Sequence, residues 1–187
     1  MDFAQNITKL VGNTPLIKLK KASEITNCNI LGKAEFLNPG QSIKDRAALN
    51  MIEQIEKENE ITNKIIVEGT GGNTGIGLTV IGRALGYKTV IVMPNNQSIE
   101  KINTLKFLGA EIILTDQVPY NNPKNYIQLS KSIAKKKNAL WTNQFDNLAN
   151  REAHEKTTSQ EIWRQTEGKI DAFICSIGTG GTLAGNY

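Results

Sequence analysis

The chain has 187 residues, with 22 Lys+Arg against 18 Asp+Glu, one histidine and a net charge of +4. Hydrophobic residues make up 39% and charged residues 21%, spread along the chain, which supplies a core for one domain or two small lobes and excludes intrinsic disorder. The excess charge is scattered lysine, and its densest run, Lys135-Lys136-Lys137, suits a helix C-terminus better than nucleic acid.

In chain order, the opening MDFAQNITKL lacks the basic n-region and apolar h-region of a signal peptide. No later run approaches the roughly 18 apolar residues of a membrane span. Cys28 and Cys175 lie far apart without metal-type spacing and read as thiols of a reducing compartment. The expectation is a cytoplasmic globular protein without a nucleic-acid or membrane partner.

From Lys44 onward helical periodicity alternates with short β-branched runs. Ala47, Ala48, Met51, Ile52 and Ile55 share one helical face, and Lys64 to Val67 reads as a buried strand. A glycine loop, a helix over Ile76 to Leu85 and a strand over Thr89 to Met93 follow. Two more cycles pair a helix over Ile99 to Leu108 with a strand over Glu111 to Thr115, and a helix over Tyr126 to Lys136 with a strand over Ala139 to Thr142. Between them, Gln117 to Asn125 is the longest expected loop, read as a surface excursion. A long helix over Ala149 to Gln165 then precedes an apolar strand over Ile170 to Ile177. Strands separated by helices imply right-handed crossovers and a parallel sheet covered on both faces, hence an α/β fold.

Two glycine turns each follow an expected strand: Gly69-Thr70-Gly71-Gly72-Asn73-Thr74-Gly75 and Gly178-Thr179-Gly180-Gly181-Thr182. One such turn could simply be tight; two at the same sheet edge favour a site, because glycine backbones turn N–H groups toward an anion. Neither is a P-loop, since no lysine follows in register, and G-x-G-G-x-x-G departs from the dinucleotide fingerprint, leaving an NAD site as the weaker reading.

Ser42 and Asp45 have capping-box spacing, which puts Ser42 at an N-cap and Lys44 in the first turn of the next helix. A lysine there opposes the helix dipole, a conflict that favours the neutral amine able to form a Schiff base. An exposed, snorkelling lysine is the bland alternative. The two anion-suited loops favour a Schiff-base lysine with a phosphate-bearing cofactor.

These residues are recognisable. Gly12-Asn13-Thr14-Pro15-Leu16, Lys33-Ala34-Glu35, Asn38 to Arg46, Gly72 to Gly77, Asn143-Gln144-Phe145 with Ala149-Asn150, and Gly178 to Thr182 occur in family order. With them the chain resembles the cysteine synthase and cystathionine β-synthase family of pyridoxal 5′-phosphate enzymes, which have the tryptophan synthase β-like fold. The resemblance implies that Lys44 holds the cofactor and later moves the substrate's α-proton, and that Asn73 meets the phenolic oxygen of the ring. It implies a phosphate loop of Gly178, Thr179, Gly180, Gly181 and Thr182, and a substrate carboxylate held by Thr70, Gly71, Thr74 and Gln144. The implied reaction is β-replacement giving L-cysteine from O-acetylserine and sulfide. Cystathionine synthesis, β-elimination or dehydration, and a truncated non-catalytic relative are the alternatives. Implied partners are a second copy, as in full-length relatives, and serine acetyltransferase.

The implied domains are a smaller one over residues 42–149 and part of a larger one over 1–41 and 150–187. Gly71 and Gly69 stand where the family's commonest loop has serine and proline, which bears on the preferred leaving group. Family members continue past the position of Tyr187, so residues 1–187 alone are expected to be poorly stable and nearly inactive.

Overall fold

In the computed structural model, which describes residues 1, 3–58 and 63–187, two short strands come first. β1 (Leu16–Lys18) and β2 (Leu31–Lys33) pair antiparallel and are joined through α1 (Lys20–Thr26). Periodicity gives no signal for them, because three residues are too few to show a period. The main body alternates α2 (Lys44–Glu58), β3 (Ile65–Gly69), α3 (Asn73–Ala84), β4 (Lys88–Pro94), α4 (Ile99–Phe107), β5 (Glu111–Thr115), α5 (Tyr126–Lys137) and β6 (Leu140–Trp141). The expected α/β architecture is therefore present.

The four longer-range strands form one parallel sheet in the order β5-β4-β3-β6, with Val67 opposite Val90 and Val90 opposite Glu111. The strands are apolar on both sides because both sides are covered. Ile66, Ile91 and Met93 face a layer made by α2, α3 and α4, where Ala47, Ala48, Met51, Ile52, Leu78, Ile81 and Leu105 are buried. Val67, Val90 and Val92 face α5 through Leu129, Ile133 and Ala134. The lysine run occupies the last turn of α5, which stops at Asn138 in a left-handed conformation (φ 48°). That Asn caps the helix at the residue type best able, after glycine, to adopt it.

Beyond the sheet, α6 (Ala149–Ala153), a π-helical turn (His154–Thr158) and α7 (Ser159–Gln165) continue one another, so the expected long helix exists with a widened turn in its middle. The chain's described part ends in α8 (Gly181–Gly185).

The strand expected over Ile170 to Ile177 is not formed. Ile174 is 91% exposed, and no described strand lies beside this segment. Apolar composition satisfies only half of what a strand requires; the other half is a ladder partner for its N–H and C=O groups. In consequence residues 166–180, not Gln117 to Asn125, make up the longest described stretch without helix or strand. Among the described residues no helix is long and apolar enough to cross a membrane.

This layering predicts that Ile66→Ala, at a fully buried position, lowers the unfolding free energy by about 2–5 kcal/mol. Phe107→Ala, at an 88% exposed position, should stay within about 0.5 kcal/mol of the parent. Urea unfolding of the two variants measures both.

Candidate active site

The strand order places a topological switch between β3 and β6. The chain leaves β3 toward β4 and β5 and returns on the other side of β3, so the loops after β3 and β6 diverge and open a crevice at the carboxyl edge. Both loops carry expected site residues. After β3, the Thr70 N–H donates to Val92 O at 2.9 Å, and Thr70 Oγ1 accepts the Gly72 N–H at 3.2 Å. In the first turn of α3, Thr74 donates its hydroxyl to Gln144 Oε1 at 2.6 Å, and Thr70, Thr74 and Gln144 are all buried. The N-cap of α3 is Gly72, which has no side chain to serve as a cap, so the first-turn N–H groups remain suited to an anion. Asn73 opens α3 with its side chain exposed.

The two departures from the family loop have local causes. A Cβ on Gly69 would lie 2.7 Å from Tyr126 O and 2.9 Å from Ile127 Cα, so the start of α5 leaves no room for proline. A Cβ on Gly71 would meet only the far end of a side chain, that of Gln97, with Cδ at 2.9 Å.

Lys44 is the first residue of α2 and half-buried. Its amine is held below the ordinary lysine range by burial, against a smaller opposite pull from Cys175. Burial thus shifts the amine toward its neutral form, the expected direction. The capping box is corrected. Ser42 Oγ accepts from the Lys44 N–H at 3.2 Å, while the Asp45 carboxylate reaches past Ser42 to accept the Gly40 N–H. Gln41 sits at φ 63° and turns the chain back, and a Cβ at Gly40 would fall 2.5 Å from Asp45 Oδ1, so the turn delivers Gly40 rather than Ser42 to the carboxylate. Burial raises Asp45 to about 6. A Cβ on Gly77 would stand 3.2 Å from Lys44 O; this glycine lets α3 approach the start of α2 closely.

The second glycine loop lies against α6 and the π turn. Asn150 Nδ2 donates to Gln144 O at 2.9 Å and to Thr179 Oγ1 at 2.8 Å, joining the β6 loop to Gly178–Thr182. Gly181 passes so close to Asn150 that a Cβ would be 2.5 Å from its Oδ1. Gly180 has φ 84°, and nothing lies within 4 Å of a Cβ position on Gly178 or Gly180. The loop backbone therefore borders open space. The buried His154 contacts Thr158 Oγ1 through Nδ1 at 2.9 Å and Thr182 Oγ1 through Nε2 at 3.3 Å. Burial, with the charges of Lys44 and Arg46, lowers His154 to about 4, so it is neutral near pH 7. His154 carries no signal in the sequence, since a lone histidine has no spacing to read; the π turn that carries it is a feature often found at functional sites.

Glu68, at the end of β3, is 1% exposed. Its carboxyl accepts the Thr142 hydroxyl at 2.5 Å and backbone N–H groups of Gln144, Asn143 and Gly69, so one group pins the ends of β3 and β6 together. Burial outweighs those bonds and raises it to about 7. A carboxyl raised from 4.5 to about 7 contributes stability that is complete below about pH 4.5 and lost as the pH rises through 7, of order 3 kcal/mol. Glu68→Gln cannot titrate. Its melting temperature relative to the parent should rise steadily between pH 5 and pH 8, as scanning calorimetry at several pH values would show.

Known proteins share this arrangement. A family model described as pyridoxal-phosphate dependent enzyme matches residues 7–187. The chain is 54% identical over 185 residues to cysteine synthase 1 of Neurospora crassa and 55% identical over 185 residues to cysteine synthase 1 of Emericella nidulans. It covers 98% of itself in both matches, but 49% and 50% of those proteins. The chain thus spans about half the length of the curated relatives it matches. A crystal structure of a hydrogen sulfide-producing enzyme from Fusobacterium nucleatum superimposes with a TM-score of 0.83 at 42% identity, covering 100% of this chain and 61% of that one. The family match, over residues 7–187, and the two glycine loops, linked from Thr74 through Gln144 and Asn150 to Thr179, agree that this chain belongs to the pyridoxal-phosphate dependent enzymes.

Proposed function

We propose that the chain is the part of a cysteine synthase that carries the reactive lysine, the substrate-carboxylate loop and the phosphate loop. The observation that carries this reading is Asn150, whose one amide holds both Gln144 O and Thr179 Oγ1. The similarity to cysteine synthases at up to 55% identity supports it.

The residues present fit pyridoxal phosphate. Gly178, Thr179, Gly180, Gly181 and Thr182 would take the phosphate, with Gly178 and Gly180 bordering open space. Lys44 supplies an amine whose neutral form burial already favours, and Asn73 would meet the ring's phenolic oxygen. When bound, the cofactor supplies an electron sink for charge developing at the substrate's α-carbon. Thr70, Gly71 and Thr74, with the uncapped first turn of α3, would hold the substrate carboxylate. Gln144 directs its Oε1 at Thr74, which leaves its Nε2 to donate to that carboxylate. Lys44 Nζ would take the α-proton as acetate leaves the β-carbon of O-acetylserine, and would return a proton to the α-carbon once sulfide has added at the β-carbon.

In this reading residues 42–149 form the smaller domain, and 1–41 with 150–187 contribute to a larger one. The complete protein would pair with a second copy, accept serine acetyltransferase as a partner and work in the cytoplasm, where Cys28 and Cys175, both free, stay reduced. The reverse emphasis, release of sulfide from cysteine by β-elimination, is favoured by the likeness to the sulfide-producing Fusobacterium enzyme. Comparing kcat/KM for cysteine formation and cysteine breakdown separates the two.

Lys44→Ala in the complete gene product should abolish the visible absorbance of bound cofactor and lower cysteine formation by at least about 10²-fold. Borohydride reduction of the parent should mark Lys44. An unchanged spectrum, with another lysine marked, would remove the assignment.

A further inference from the structure

Gln97 is half-buried in the turn after β4, outside every motif by which the family is recognised. Its main chain is fixed: the Gln97 N–H donates to Pro94 O at 3.4 Å, the Asn95 N–H to Thr115 O at 2.8 Å, and the Asn96 amide to Gln117 Oε1. Its carboxamide lies over Gly71. A Cβ built there would stand 2.9 Å from Gln97 Cδ and 3.1 Å from both Nε2 and Oε1. Nε2 donates to Asn96 Oδ1 at 3.2 Å, and among the described residues the second N–H and Oε1 have no partner. The glycine and the glutamine are therefore complementary: only a residue without a side chain at 71 leaves the amide in place. The space that a hydroxyl at 71 would occupy holds a carboxamide instead.

We propose that Gln97 is a specificity-determining residue, whose amide N–H donates to the acyl carbonyl on the β-substituent of the amino-acid substrate. This rests on the cysteine-forming reading. Its chemistry follows from placement. The substrate carboxylate sits at Thr74, Gln144 and the first turn of α3. The Gln97 carboxamide, brought by the turn after β4 onto Gly71 in the same loop, is then the neighbouring polar group available to the substituent on the β-carbon. An ester substituent presents a carbonyl acceptor that a halide substituent lacks, and a site built to donate to a polar group discriminates against substrates without it.

The test uses the complete enzyme with two β-substituted substrates, O-acetylserine and β-chloroalanine. Gln97→Met keeps the volume and removes the donor. It should lower kcat/KM for O-acetylserine about tenfold, the effect of one neutral hydrogen bond, and leave β-chloroalanine within about twofold. Because the atoms facing Gly71 are the end of a flexible side chain, Gly71→Ala should displace the amide with little effect on melting temperature. In the cofactor-free protein, Gly71→Ala should shift the Gln97 side-chain amide resonance in a 15N–1H spectrum. Equal losses of Gln97→Met on both substrates, or no loss with O-acetylserine, would each overturn the assignment. A parent enzyme that forms no cysteine from either substrate would instead overturn the cysteine-forming reading.

Discussion

The Arg46 guanidinium fixes the geometry on which the site depends. It is buried and donates to Glu35 Oε1 and Oε2 at 2.8 and 2.9 Å and to Glu161 Oε1 and Oε2 at 2.6 and 2.8 Å. Its remaining contacts are Thr14 Oγ1 and Thr157 Oγ1. Glu161 in turn accepts from Lys33 Nζ at 2.7 Å and the Asn13 N–H at 2.8 Å. Burial alone would raise Glu161, but these donors hold it at about 2. One cation thus ties the N-terminal segment, the start of α2 and the helix that carries Asn150 and His154 into one frame, two residues from Lys44. Such buried networks are weak evidence for net stability, since well-packed apolar groups often do as well. Their stronger consequence is placement: loss of one partner strands a buried charge, at a cost of about 3–5 kcal/mol.

The sheet supplies the second half of the frame. β3 and β6 part at the switch point, and without a link their loops would be free to separate. Glu68 and Asn150 provide that link at two levels. Glu68 gathers Gly69, Thr142, Asn143 and Gln144 beneath the crevice. Asn150 carries the connection onward from Gln144 to Thr179. An amide suits the outer position because it donates twice without a charge to desolvate, whereas burial pushes Glu68 toward its neutral form.

The legible parts of the sequence were those with long periods or many residues in register. The strands and helices from Lys44 to Trp141 have apolar spacing that burial enforces on both faces, so pattern and structure coincide. The glycine turns were legible because glycine has few reasons to cluster after a strand. Illegible parts depend on partners distant in the chain. β1 and β2 exist through each other, and Ile170 to Ile177 has strand composition without a described ladder. Capping-box spacing pairs Asp45 with Ser42, because spacing alone cannot show that Gln41 adopts φ 63°. Glu68, His154 and Gln97 are single polar residues whose roles arise only when 74, 28 or 26 residues of separation close up in space.

The state of the Lys44 amine shows how two opposing local charges resolve. In sequence, a lysine and an aspartate adjoin at a helix start, where the dipole favours the anion and opposes the cation. An ion pair between neighbours would have held Lys44 protonated and worked against its attack on a carbonyl. The structure avoids this by directing the Asp45 carboxylate at the Gly40 N–H. The negative charge is thereby engaged with backbone instead of the amine, and burial is the dominant influence on Lys44. Gly40 and Gly77 are the glycines that permit it: any Cβ at 40 would collide with the carboxylate, and one at 77 would crowd both Asp45 Oδ1 at 3.1 Å and Lys44 O at 3.2 Å. The turning of the Asp45 carboxylate away from the amine therefore rests on two positions where the chain carries no side chain.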